Sequence, residues 1–534
     1  MPLESVTYPA YGQRGTRGMT VAMTIGRMVT TAVLLLCASG GLTDPAAAAP
    51  ADAVVATKAG RLQGVAKDGI VAFKAIPFAQ PPLGPLRWRA PQPMMPWPGV
   101  RDAGSPGPAC PQHNPAQGGY GPDPVQSEDC LTLNIWKPRI GTARLPVMVW
   151  IYGGSFVRGD AAHPMFDGAA LARDGVIVVT ANYRLGRLGW FAHPALTGES
   201  ASTGNFGLMD QIAALKWVHD NIAGFGGDPA NVTIFGESAG AMSVNLLMAA
   251  PDARGLFAKA ITQSGLGRIA AKPLAVAEAQ GEAFARAAGA ADLAALRALP
   301  VETVLAGQSA ATGSDGNPAP IVDGVLVREN VDRSFADGRQ APVPWLVGSN
   351  DYEADLFSNF LEHPDAAVFS LFPEADRPRM MTLFDPDRTS DKKVIAANIA
   401  TDYAFTEPAR FFAAAQTRLG QPVYRYFFTY VPEGYRNATP GAGHAAEVQF
   451  VFGTLGSFRW STPDYVPFDR RIAADMGRYW TNFAKRGDPN GPGLVAWPID
   501  KGDHVLVFDR DGEHAETGLR KPRLDFLAAH AAVK

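Results

Sequence analysis

The chain has 534 residues, 47% of them hydrophobic and 19% charged, which is enough apolar content to bury a large core. A formal net charge of -3 with no basic stripe gives no electrostatic footing for nucleic acid, so the expected partner is a small molecule. Apolar runs recur from Val147 to Tyr430 with no repeat of solenoid length and no low-complexity linker between them, and they alternate with helical stretches. That alternation predicts a single α/β domain over residues 50–534, built on one large sheet.

The first element, residues 1–49, is read as a signal peptide. Arg14, Arg17 and Arg27 precede an apolar core from Met28 to Leu42, and small residues ending Ala46-Ala47-Ala48-Ala49-Pro50 follow it. The core is shorter than the roughly 20 residues a bilayer span needs, so no stable membrane anchor is expected. The mature chain is expected to begin near Ala49 and to be exported, periplasmic or secreted, with Met19 or Met23 as alternative starts. Cys37 would leave with the signal. Export to an oxidising compartment favours pairing of Cys110 with Cys130, 20 positions apart. His113 lies close to Cys110, but no second pair of ligands completes a four-coordinate set, and no metal is expected.

Next comes Leu145-Pro146-Val147-Met148-Val149-Trp150-Ile151-Tyr152, a buried strand by its apolar run. It ends in Gly153-Gly154-Ser155-Phe156, where missing or small side chains let backbone N–H groups approach a ligand. Arg158, four residues beyond Gly154, is read as half of a loop salt bridge, with a contact to anionic substrates as the sharper alternative. Gly198-Glu199-Ser200-Ala201-Ser202 has the first letters of a catalytic motif but follows no strand-like run. Gly236-Glu237-Ser238-Ala239-Gly240 is different, because Val232-Thr233-Ile234-Phe235 leads into it and the helix-like Ala241–Leu247 leaves it. Such a strand-to-helix turn exposes the serine hydroxyl above a helix N-terminus, as a nucleophile elbow does.

A serine hydroxyl needs a base, an acid to orient that base, and donors for an oxyanion. The strand-like Pro344–Asn350 delivers Asp351, Glu353 and Asp355 at its carboxyl end, and the pattern does not choose among them. Of nine histidines, five follow this acid segment: His363, His444, His504, His514 and His530. The chain order Ser, acid, His of this elbow type restricts the base to those five. His444 follows the strand-like Val423–Tyr430 and the loop Pro440-Gly441-Ala442-Gly443, whereas the last three lie near a polar C-terminus.

At this point the chain resembles the type-B carboxylesterase and cholinesterase family, a branch of the α/β-hydrolase fold. The resemblance runs through Phe78–Gly84 with Arg87-Trp88, Glu128–Trp136, Ala181–Arg184, Gly204–Gln211 and Phe225–Pro229 ahead of the elbow. After it come Gln263-Ser264-Gly265, Gly348–Ala354, His444-Ala445-Ala446-Glu447 and Phe450–Gly453. It implies an α/β-hydrolase fold with a large, mostly parallel sheet, Glu353 as the triad acid, His444 as the base and Cys110–Cys130 as a disulfide. It also implies an oxyanion hole from the amides of Gly154, Ser155 and Ala239, and supporting roles for Glu237 and Ser264 through hydrogen bonds. Ser155 stands where many relatives have glycine or alanine.

The chemistry implied is two-step acyl transfer on small or medium esters, without a cofactor. The alternatives are an interfacial lipase of the same family and a non-catalytic adhesion module, the latter disfavoured because Ser238, Glu353 and His444 are all present. A cholinesterase is disfavoured too: between Cys110 and Cys130 there is no tryptophan for a quaternary ammonium, and Tyr120 is the only aromatic. The stretches from Ala311 to Val327 and from Phe357 to Phe384 are expected to line the entrance.

Overall fold

The computed structural model describes residues 53–531 apart from 113–123, 140–143, 201–202, 269, 309–317, 358–360 and 458–463. The proposed signal peptide, Cys37, His113 and Tyr120 lie outside the described residues. All described residues belong to one compact unit, Ala49–Lys534.

Eleven strands form the main sheet. In chain order they are β1 (Val65–Lys67), β2 (Ile70–Pro77), β3 (Thr132–Pro138), β4 (Leu145–Ile151), β5 (Ile177–Ala181), β6 (Gly227–Glu237), β7 (Lys259–Gln263), β8 (Trp345–Asn350), β9 (Val423–Phe428), β10 (His504–Asp509) and β11 (Gly512–Thr517). Across the sheet the order is β11-β10-β9-β8-β7-β6-β4-β5-β3-β2-β1. Every pairing between β10 and β5 is parallel, and the pairings beyond them on both sides are antiparallel. The fold is the α/β-hydrolase one.

Helices cover the central strands on both faces, so those strands are buried at every position rather than at alternate ones, as β5, β8 and β9 are along their whole lengths. The sheet runs well past the Val147–Tyr430 window in both directions. Its edge strands are hard to read because β1 is only 3 residues long and both β1 and β11 are largely solvated. At the centre, Trp150 of β4 packs among Phe166, Phe235 and Phe452, with ring centroids at 5.2, 4.8 and 5.0 Å.

Two features of this topology place the site. After β4 the chain adds β5 on one side and then β6 on the other, so the strand order reverses between β4 and β6. In open α/β sheets a crevice opens at such a reversal, outside the carboxyl ends of the strands. Gly153 follows β4 there, and Ser238 follows β6. The second feature is the covalent tie between Cys110 and Cys130, Cα atoms 5.1 Å apart and both fully buried, just ahead of β3. No helix among the described residues is long and apolar enough to cross a membrane.

Candidate active site

Ser238 joins β6 to helix α1 (Ala239–Ala249) with φ 55° and ψ -125°, a conformation that a non-glycine residue holds only under strain. Its neighbours make the turn possible. A Cβ on Gly240 would sit 2.0 Å from the carbonyl oxygen of Ile151, and one on Gly236 would sit 2.6 Å from the Gly240 carbonyl carbon. The Ser238 amide donates to Gln263 O at 2.9 Å, which fixes the elbow to the end of β7. The imitation at Gly198 follows a short helix, Pro194–Thr197, and its Glu199 is engaged by Arg297 at 2.6 Å.

The loop after β4 folds against the elbow. A Cβ on Gly153 would meet the Ser238 Cβ at 2.9 Å, so only glycine allows this approach. Gly154, Ser155 and Phe156 then take φ values of 107°, 55° and 63°, turning successive amides inward. Gly154 O accepts from the amides of Val157 and Arg158, both at 3.1 Å, while the Gly154 and Ser155 amides donate to no other group of the described residues. Ala239 opens α1, where an amide has no intrahelical partner. Behind the loop, Gln112 clasps Gly159 twice, donating to its carbonyl at 2.8 Å and accepting from its amide at 2.9 Å.

The salt bridge expected of Arg158 is not formed among the described residues. Asp160, the nearest acid in the chain, instead accepts from the Ala162 amide at 2.9 Å, and burial pushes its carboxyl up from the usual range.

The three acids after β8 all hold the histidine loop, each by a different atom. Asp351 Oδ1 accepts from the Ala442 amide at 2.7 Å, and Asp355 Oδ1 accepts from the His444 amide at 2.9 Å. Glu353 alone reaches the ring, with Oε2 at 2.6 Å from His444 Nδ1. Its other oxygen accepts from the Asn350 amide at 2.8 Å, and the carboxylate is wholly buried. His444 Nε2 lies 3.1 Å from Glu237 Oε1, an ion-pair distance without hydrogen-bond alignment. Burial alone would discharge His444, but Glu237 and then Glu353 outweigh it and push the imidazole up to about 9. His504 and His514 lie on β10 and β11, His363 precedes the short helix Pro364–Ala367, and His530 meets Asp376 at 3.1 Å.

Two supports escaped the sequence reading. Glu447, fully buried, accepts from Gln263 at 3.0 Å and from Asn350 at 2.7 Å, so it links the residue that holds Ser238 to the residue that holds Glu353. Burial, with Glu353 nearby, pushes its carboxyl up. An acid set among Ala445, Ala446 and Val448 was the signal available. A π-helical turn, Asp402–Thr406, brings Phe405 to 5.3 Å from the His444 ring. Ser264 hangs from β8 by its amide, 2.9 Å from Gly348 O, and its hydroxyl is buried beside Tyr426.

Ser238 and Ser155 open into a cavity of about 420 Å³ walled by Phe156, Met242, Leu266 and Phe412. Ala319, Pro320 and Val327 line it as well, within the first stretch expected at the entrance. None of the described residues of the second stretch lines it: Val368, Phe369, Phe372, Met380 and Phe384 pack with Phe526 and Leu527 into a separate apolar cluster. Their side chains are buried by each other, which leaves them unavailable as a lining.

Comparison with known proteins agrees with this architecture. The model of the carboxylesterase family matches residues 51–527. A fumonisin B1 esterase of Sphingopyxis macrogoltabida is 38% identical over 475 residues, covering 85% of each chain. A para-nitrobenzyl esterase of Bacillus subtilis is 36% identical, over 86% of this chain and 95% of the relative. Among solved structures, a carboxylesterase of Geobacillus stearothermophilus superposes with a TM-score of 0.77 at 34% identity, over 90% of this chain and all of that one. With an elbow, a glycine loop and a buried acid–histidine pair converging at one sheet edge, the chain belongs to the carboxylesterase family and is a carboxylic ester hydrolase.

Proposed function

We propose that Ser238 is the nucleophile of a two-step acyl transfer, with His444 as its base and Glu353 orienting the imidazole. The observation that carries this reading is the 2.6 Å contact between Glu353 and His444, made by the one acid of three that reaches the ring. His444 takes the Ser238 proton as the oxygen attacks the ester carbonyl, then protonates the departing alcohol. Water activated by His444 releases the acid and restores the serine. The amides of Gly154, Ser155 and Ala239 receive the oxyanion charge, and Glu237, 3.1 Å from Nε2, steadies the imidazolium that forms at each step.

The apolar cavity of about 420 Å³ beside Ser238 supports acyl or alcohol groups of small to medium size. Export is part of the same proposal, supported by the disulfide. The decisive experiment is hydrolysis of a 4-nitrophenyl ester series by purified enzyme, with Ser238→Ala as the blank. We expect a loss of roughly 10⁶ in kcat and labelling of Ser238 by an organophosphate. Full activity in the variant would remove Ser238 from the mechanism.

A further inference from the structure

Arg158 is held against the loop that faces the nucleophile. Its amide donates to Gly154 O at 3.1 Å, and its stem lies so near that a Cβ on Gly154 would meet the Arg158 Cγ at 2.9 Å. The side chain lines a cavity of about 130 Å³ together with Gly153, Gly154, Asp160 and Glu237. It is the only arginine or lysine among the described residues of that lining. Its Nε is wholly buried without a hydrogen-bond partner, and no acid of the described residues forms an ion pair with it. The two carboxylates sharing the cavity are engaged elsewhere: Glu237 faces His444 at 3.1 Å, and Asp160 accepts from Ala162 N at 2.9 Å.

A half-buried guanidinium with no acid at ion-pair distance is costly to the folded protein unless something else supplies the anion. Its five donors form a rigid planar fork, the geometry that a carboxylate satisfies with both oxygens. The cavity is well below the roughly 300–1,000 Å³ of a site for drug-sized ligands, so it suits a short polar arm rather than a long chain. We infer that Arg158 makes this cavity a carboxylate subsite, and that the enzyme prefers esters carrying a free carboxylate a short distance from the scissile bond. Monoesters of dicarboxylic acids and acyl esters of hydroxy acids are the two classes that fit. The inference rests on ester hydrolysis at Ser238 and names the substrate class for it.

The test compares two pairs of esters on wild-type enzyme, Arg158→Ala and Arg158→Lys. In the first pair the carboxylate is on the acyl side: mono-4-nitrophenyl glutarate against its terminal amide. In the second it is on the alcohol side: the acetate of 4-hydroxybenzoate against that of 4-hydroxybenzamide. In Arg158→Ala the charged-to-neutral ratio of kcat/KM should fall about tenfold or more in at least one pair, the size expected for a charge-assisted hydrogen bond. Arg158→Lys, with charge but no fork, should fall between, and added salt should lower the wild-type ratio. A smaller change in both pairs overturns the subsite. Should Arg158→Ala fail to fold, competitive inhibition of wild type by glutarate but not by glutaramide supports the subsite, and equal or absent inhibition overturns it. Hydrolysis with an unchanged ratio removes the subsite alone. No hydrolysis of any of the four esters, together with no labelling of Ser238, removes the hydrolytic reading and the subsite with it.

Discussion

Asp351, Glu353 and Asp355 could not be ranked from sequence because all three hold the same loop, and only the atom each one reaches separates them. The geometry gives them unequal consequences. Glu353→Gln should cost on the order of 10⁴ in kcat, since the ring loses its orienting charge and its tautomer. Asp351→Asn and Asp355→Asn each keep an oxygen for the backbone amide they bind, and should cost less than about tenfold. Equal losses in all three would mean that loop position rather than ring contact sets the rate. Glu237 acts on the same ring from the other side. As its charge raises the His444 pKa, Glu237→Gln should lower it and move the acid limb of kcat/KM from near pH 9 towards lower pH. A pH–rate profile checks the direction, and an unmoved limb would show that Glu237 does not act through His444.

In the elbow and the glycine loop, backbone conformation sets where the proposed chemistry would take place. Both were legible, because Gly153, Gly154, Gly236 and Gly240 mark places where a side chain would collide with a neighbouring carbonyl or with Ser238 itself. Gly240→Ala should therefore destabilise the protein by more than about 3 kcal/mol, measured by chemical denaturation, because the obstacle is the Ile151 backbone. Ser155 is the opposite case. At φ 55° its side chain is tolerated rather than required, and Ser155→Gly should retain kcat within about threefold while relieving roughly 1 kcal/mol of strain. A loss of more than about 10² would assign a role to the hydroxyl. Arg158 of this element makes no salt bridge among the described residues, which leaves its other reading, a contact to anionic substrates. A salt bridge is the ordinary fate of a loop arginine, and only the fold could show that its nearest acid in the chain accepts instead from the amide of Ala162, two residues further on.

For the molecule as a whole, the central sheet was readable because strands buried on both faces cannot hide their apolar runs, whereas the solvated edge strands carry no such record. Glu447 was unreadable for a related reason, since its partners Gln263 and Asn350 lie 184 and 97 positions away. Removing both cysteines by Cys110→Ala and Cys130→Ala should lower unfolding stability by about 3 kcal/mol, mainly by releasing the unfolded chain.

The clasp of Gln112 on Gly159 gives that bridge a second consequence. Gln112 is two residues from Cys110, and Gly159 closes the loop whose amides are proposed to receive the oxyanion. One side chain thereby joins the buried disulfide to the loop that faces Ser238. Gln112→Ala, which leaves the disulfide in place, should therefore slow ester cleavage, and an unchanged kcat would show that the loop keeps its shape without the clasp.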